Sequence, residues 1–360
     1  MKTSFVSTLS IQNAMRLTVA QAQSELLKAQ SEATTGKYYD LGVSLAERTS
    51  QSLDLNREVA RLKALSETNS LSTQRLASSQ TALDNISNAG QSMLNTVLAL
   101  SGSEDANSLK TARTSIENAF SIFSDMSNMA LNGEFLFSGI NSDVQPATDM
   151  QTNVATAYNT ELQFYLTSQG LTDKSQMSAT QMDSFLTTVE AKFNGTSTLT
   201  DPPHTGRGGE DLWTSYVSQA SDTNMTSRIS KTEVVESSTN TNTQGMRYMA
   251  LGAISALTFM DASLDTPARQ AANKKMNQFI AAGIDGIDVD RGKLGLSEER
   301  IKKANDSLNA QSTIIKTYLG DLEGVDGYEA ATRVKNLLAL VDASYTLTAR
   351  IQQLSLVNFL

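Results

Sequence analysis

The chain has 360 residues, of which 39% are hydrophobic and 6% aromatic, with one tryptophan, Trp213, no cysteine and a formal net charge of −9. That length exceeds one ordinary hydrophobic core and predicts at least two domains, and the thin composition, leaning on Ala, Leu and Met, suits slender helices better than a thick globule. Disulfides and zinc–thiolate sites are excluded, no run of 18 apolar residues offers a membrane span, and the acidity makes nucleic acid a poor partner.

All four prolines fall between Pro146 and Pro267, so both ends are free to run as uninterrupted helices. Residues 141–245 carry 5 basic and 12 acidic groups, whereas the flanking segments are nearly neutral. Near-neutral ends tolerate close self-packing, and an acidic middle suits a solvated outer position.

In chain order, Ile11, Met15, Val19, Ala22, Leu26, Ala29 and Ala33 recur every three or four residues, one helical stripe that Gly36 should stop. Tyr38–Val43 reads as a connecting loop. A second helix is expected from between Val43 and Leu53 to about Leu100, with a heptad seam through Leu62, Leu76, Leu83, Ile86, Met93 and Val97. The polar residues Asn69, Ser72 and Ser79 in that seam are candidates for setting register. At 1.5 Å per residue this helix spans roughly 80 Å, more than one globular domain needs.

A third stripe from Leu109 to Ala130 should fold back on the second. Asn132 and Gly133 then signal a type I′ turn, and the alternation of Phe135 and Phe137 before Gly139 reads as a small hairpin leaving the rod. From Asn141 to Thr243 the sequence turns to Ser, Thr, Asn and Gln. One helix is expected over Ser178–Lys192, opened by a capping box of Ser178 and Gln181, with short strands at Gln163–Leu166, Thr214–Val217 and Ser227–Val235.

Helical spacing returns at Met246. Thr266 and Pro267 should start a further helix that ends at Gly283, and another stripe runs from Leu294 to Tyr318 before a break over Gly320–Gly327. The last helix should open on a capping box of Asp326 and Glu329, then present Leu337, Leu340, Ser344, Leu347, Ile351 and Leu354, continuing to Leu356, Phe359 and Leu360. A narrow stripe on an isolated terminal helix buries too little surface to offset its ordering entropy. Residues 1 to about 35 and 325 to 360 are therefore expected to be mobile in the monomer and to order against each other and neighbouring subunits.

Several segments are similar to the flagellin family. Glu323-Gly324-Val325-Asp326-Gly327-Tyr328-Glu329-Ala330-Ala331-Thr332-Arg333, with Ala343-Ser344-Tyr345, Ala349-Arg350-Ile351 and the ending Leu354-Ser355-Leu356-Val357-Asn358-Phe359-Leu360, resembles the carboxyl terminus of its hook-associated members. Thr35-Gly36-Lys37 resembles a family loop, and Asn132 to Gly139 resembles the hairpin of the hook–filament junction type more than that of filament flagellin. After Lys37 the Asp-Asp-Pro-like stretch usual in the family is replaced by Tyr38-Tyr39-Asp40-Leu41-Gly42.

The resemblance implies a structural subunit of the bacterial flagellum, with terminal helices in an inner layer and a variable surface domain. It implies export unfolded through the flagellar type III apparatus without a cleaved signal. The implied partners are copies of itself in a ring or helical layer, a neighbouring hook-associated protein, flagellin and an export chaperone. A divergent filament flagellin is the alternative, and a secreted enzyme or glycan-binding module in residues 141–245 is a third reading.

The fold expected is mainly α. It is an elongated coiled-coil rod formed by N- and C-terminal helices together, with a small inserted α/β or mainly β middle domain. The divisions expected are 1–42 with 320–360 for assembly, 43–140 with 246–319 for the rod, and 141–245 for the surface.

No catalytic residue, cofactor or metal site is expected. The one histidine, His204, sits among Pro202, Pro203, Gly206 and Gly208 and reads as an exposed turn. Asp288, Asp290 and Glu299 match three positions of a calcium loop, but Gly292 and Lys293 stand where a ligand and the required glycine belong, so a helix entry is expected there.

Overall fold

The computed structural model describes the backbone of residues 8–100 and 105–357, and side chains within residues 10–350 apart from 11, 12 and 101–104. In chain order the elements are α1 (Thr8–Thr35), α2 (Leu41–Leu45), α3 (Thr49–Ala99), α4 (Ala106–Ser127), β1 (Ala130–Leu131), β2 (Glu134–Phe135), α5 (Met150–Ser168), α6 (Ala179–Phe193), α7 (Leu212–Tyr216), β3 (Thr226–Arg228), β4 (Val234–Glu236), α8 (Gln244–Phe259), α9 (Thr266–Glu323) and α10 (Gly327–Val357). The fold is mainly α, and its strands form two small antiparallel hairpins, β1 with β2 and β3 with β4. The chain divides into two compact units, one from Met1–Ala64 with Ser307–Leu360 and one from Leu65–Asp306.

In the second unit a continuous core joins the seam of α3, at Leu76, Leu83, Ile86, Met93 and Val97, to α4, α8 and the middle helices. Tyr158 lies 5.5 Å edge-on to Phe185 and 6.3 Å from Phe259, and Trp213 is 6.5 Å from Phe193. Such aromatic pairs add to the burial of apolar area. Asn69 donates to the Ile229 carbonyl at 3.0 Å and to Asn305 at 2.8 Å, and Ser72 bonds Ser227 at 2.9 Å. Two of the polar breaks in the α3 seam, Asn69 and Ser72, are thus where it meets the β3–β4 hairpin and α9, whereas the Ser79 hydroxyl is buried with no hydrogen-bond partner among the described residues.

Several local expectations give way. Gln163–Leu166 is helical, because Met150, Val154, Tyr158, Glu161, Leu162 and Leu166 share one buried face of α5. Thr214–Val217 falls in α7 and its cap, where Asp211 accepts from the Thr214 amide at 2.9 Å. The single strand expected over Ser227–Val235 is a hairpin, reversed between Arg228 and Val234, and Tyr38–Val43 contains the start of α2.

Gly283 does not end a helix. A Cβ there would stand 2.9 Å from the Met249 amide, and one on Gly286 would stand 2.5 Å from Gly245 Cα. These glycines let the backbones of α8 and α9 touch, and α9 passes through them unbroken. Asp288, Asp290 and Glu299 therefore lie inside α9, not at a helix entry, with Asp288 paired to Arg291 at 3.1 Å and Asp290 to Lys293 at 3.2 Å.

The turn at Asn132 and Gly133 has φ of 54° and 87°, as a type I′ turn requires, and β1 pairs β2 across it. The hairpin does not leave the rod. Arg75 of α3 donates to Glu134 at 2.8 Å and to the Phe135 carbonyl at 2.7 Å, Phe137 is buried, and a Cβ on Gly139 would meet the Ser221 and Thr223 carbonyls at 2.5 Å.

Along the helices of the first unit, the hydroxyls of Thr18, Thr34, Thr313, Thr317, Thr332, Thr346 and Thr348 each donate to the carbonyl four residues earlier. No helix among the described residues is long and apolar enough to cross a membrane.

Candidate assembly site at the paired termini

α1 and α10 pack along each other. They run antiparallel, since Glu32 meets Arg333 at 2.9 Å while Gln23 meets the Tyr345 hydroxyl at 2.6 Å. The seam of α1 uses the predicted Met15, Val19, Ala22, Leu26 and Ala29, but then Glu32, with Ala33 exposed. That of α10 uses Ala330, Val334, Leu337, Val341, Ser344 and Thr348, spaced by four and three.

Leu340 and Leu347, predicted to lie in the stripe, flank it instead and remain 46% and 48% exposed, and Leu338 and Tyr345 stand exposed on the other flank. Leu17 and Leu27 are exposed on α1. The side chains of Ile11, Ile351, Leu354 and Leu356, and all of Phe359 and Leu360, lie outside the described residues.

Where the two ends meet, Gly36 closes α1 at φ 69°, its amide bonded to the Glu32 carbonyl at 2.9 Å. Lys37 and Gly324 form an antiparallel bridge, with the Tyr38 amide donating to the Glu323 carbonyl and the Val325 amide to that of Gly36, both at 3.0 Å. The buried Glu323 carboxylate accepts from Lys37 Nζ at 2.7 Å, Ser52 Oγ at 2.6 Å and Asn56 Nδ2 at 2.9 Å. Desolvation alone would raise its pKa, but those three hydrogen bonds outweigh it and hold the carboxyl below the ordinary glutamate range.

Asp326 caps α10 by accepting from the Tyr328 and Glu329 amides at 2.8 and 3.3 Å, one half of the expected box, while the Glu329 carboxylate pairs with Arg333 at 3.1 Å. Sequence periodicity missed Glu32, Glu323 and Arg333 as partners, because a buried acid held by a half-exposed base leaves no apolar signal. Lys37, Glu323 and Arg333 do lie in the segments that carry the family resemblance.

His204 is buried, not an exposed turn. Its Nε2 is 2.7 Å from Glu161, which also accepts from Lys192 at 2.5 Å, and its Nδ1 is 2.8 Å from the Tyr216 hydroxyl. Each member holds another in place within the middle helices. No group of three or more potential metal ligands occurs among the described residues.

The two ends of the chain thus form one helix pair with apolar side chains left exposed on its outer flanks. Residues 6–142 match the N-terminal helical region of bacterial flagellin and residues 278–360 match its C-terminal helical region; the chain belongs to the bacterial flagellin family. It is therefore a structural flagellar protein, of a family whose members are extracellular, self-assemble and associate with other flagellar proteins. Among solved structures it is similar to a candidate flagellar hook-associated protein from Vibrio parahaemolyticus, at 13% identity and a TM-score of 0.52 over 77% of this chain and 97% of that one, a likeness of fold alone. No curated protein matches the sequence.

Proposed function

We propose that this chain is the adaptor at the hook–filament junction, incorporated through its terminal helices. The carrying observation is that α10 keeps apolar residues on both flanks of its seam, Leu338 and Tyr345 on one and Leu340 and Leu347 on the other, more than a single partner helix covers. Copies of the chain and adjacent axial proteins would cover those flanks. The junction rather than the filament is favoured by the hairpin from Asn132 to Gly139 and by the hook-associated description of the Vibrio protein. In this reading residues 1–42 with 320–360 assemble, 43–140 with 246–319 extend the rod, and 141–245 face outward. The chain would travel unfolded through the flagellar export apparatus, its carboxyl-terminal part held by a chaperone beforehand.

Electron microscopy of cells lacking the protein tests the role, with hooks lacking filaments as the expected result. Filaments of normal length would overturn it. Filament flagellin is the second reading, favoured by the same family match. Purified protein added to hook-bearing seeds separates the two, since a junction subunit stops after a limited layer and a flagellin keeps growing. Leu340→Lys with Leu347→Lys should leave the monomer's helical circular dichroism unchanged while abolishing addition to seeds.

A further inference from the structure

An asparagine followed by glycine is chemically labile, because glycine has no Cβ to shield its amide nitrogen from the preceding side-chain carbonyl. The sequence holds two such pairs, Asn132-Gly133 and Asn194-Gly195. The fold separates them.

Asn132 and Gly133 form the tip of the β1–β2 hairpin. Both are exposed, and a Cβ on Gly133 would meet nothing within 4 Å. Neither the Asn132 side chain nor the Gly133 amide is hydrogen-bonded among the described residues. Asn132 lines a cleft of about 230 Å³, open to solvent, together with Ser72, Arg75, Glu134 and Ser227. Asn194 instead closes α6, with its Oδ1 buried and its side chain beside the Tyr248 hydroxyl. The Gly195 amide donates to the Lys192 carbonyl at 3.3 Å, and a Cβ on Gly195 would stand 2.7 Å from Asp211 Oδ2 and 3.3 Å from Arg247. The Asn194 amide can swing onto its neighbour only after that packing opens.

We propose that Asn132 is a site of spontaneous deamidation, that packing protects Asn194 from the same reaction, and that the change at Asn132 loosens the hairpin's hold on α3. The Gly133 amide nitrogen gives up its proton and attacks Asn132 Cγ. As the new C–N bond closes a succinimide ring, the Cγ–Nδ2 bond breaks and Nδ2 leaves as ammonia, carrying that proton. One water then opens the ring. Opening at Cγ gives aspartate, and opening at the main-chain carbonyl carbon routes the chain through the side chain as isoaspartate.

The two products differ in consequence. Aspartate leaves an Asp-Gly turn, which type I′ geometry accepts. Isoaspartate adds a backbone carbon to a loop whose length fits the pairing of Leu131 with Glu134, and that pairing is lost. Glu134 meets Arg75 at 2.8 Å, and the Arg75 side chain is only 10% exposed. Its other hairpin partner is the Phe135 carbonyl at 2.7 Å. A displaced hairpin thus leaves a buried cation short of its acid, which is strongly destabilising.

Full-length protein held folded at mildly alkaline pH, then digested and read by peptide mass, tests this. Acid should accumulate at position 132 about tenfold or more faster than at 194. The same incubation in urea should make the two rates alike, since the unfolded chain lacks the packing. Asn132→Gly, which keeps a turn of the same type, should abolish the change at that position. The Phe135 and Leu136 amides bond the Ser142 and Met129 carbonyls at 2.7 and 2.9 Å. In the isoaspartyl fraction, separated by chromatography, they should exchange hydrogen about tenfold faster than in the parent, and in Asn132→Asp as in the parent. Equal rates at both sites in the folded protein, or a gap that persists in urea, would overturn the proposal. So would an isoaspartyl fraction whose hairpin amides exchange like the parent's.

Discussion

Glu161 sits in the interior of the second unit with Lys192 and His204 both on one of its oxygens, at 2.5 and 2.7 Å, while Tyr216 meets the other face of the imidazole at 2.8 Å. A neutral imidazole donating from Nε2 and accepting at Nδ1 satisfies every member of this chain. His204→Ala leaves Glu161 with Lys192 alone and strips Tyr216 of its partner, and should destabilise the unit by about 2 kcal/mol in urea unfolding followed by Trp213 fluorescence. No change would mean that water replaces the ring without cost. Asp261, in the link between α8 and α9, accepts from the Ser263 amide at 3.0 Å and from Lys174 at 2.9 Å. Burial pushes its carboxyl up, but those partners outweigh burial and bring it to about 2 from an ordinary 3.8. The folded state therefore favours the ionised form. Its contribution is complete above the ordinary value and is lost as pH falls through about 2. Melting temperatures of Asp261→Asn should lie below the parent's by a constant gap near neutrality, and the gap should close in strong acid.

Two glycines of α9 have opposite roles although the sequence presents them alike. Gly286 lies against Gly245, and Gly286→Val should cost about 2 kcal/mol or more by forcing α8 and α9 apart. A Cβ on Gly292 meets nothing within 4 Å, so Gly292→Ala should stabilise by about 0.5–1 kcal/mol through helix propensity alone. Chemical denaturation of the two variants checks both signs. Glycine reads as a stop because its isolated cost is all that one chain position reveals, and the helix crossing that repays it is tertiary. The same reason separates what was legible from what was not. The stripes of α1, α3 and α4, the I′ turn and the box at Ser178 follow from local spacing, whereas that of α10 is displaced, with Val341 and Thr348 in the seam in place of Leu340 and Leu347. α5 was hidden because Glu161, a charged residue, occupies its buried face. His204 was misread because Pro and Gly mark a turn without saying which way its side chain points. At the join, Ala33 fits the apolar period better than Glu32, yet Glu32 is buried because it bonds Arg333 and the Tyr39 amide.

The two units differ in what holds them. The second buries Tyr158, Phe185, Phe193, Trp213 and Phe259 in one core, whereas the buried apolar side chains described in the first are few and mostly small or aliphatic, among them Ala22, Ala29, Leu62, Ala330 and Val341. Burial at roughly 25 cal/mol per Å² then favours the second unit heavily. Heating should give a first loss of helical circular dichroism with Trp213 fluorescence unchanged, followed by a cooperative loss of both. A single coincident transition would show that the first unit borrows its stability. The threonines along α1, α10 and the end of α9 bear on how such a weakly held unit meets its neighbours. A hydroxyl whose proton already points at its own helix carbonyl depends little on water for a partner. When another helix closes over it, less hydration has to be broken and no matching acceptor has to be found opposite. Those hydroxyls are thus polar groups that cost little to dehydrate.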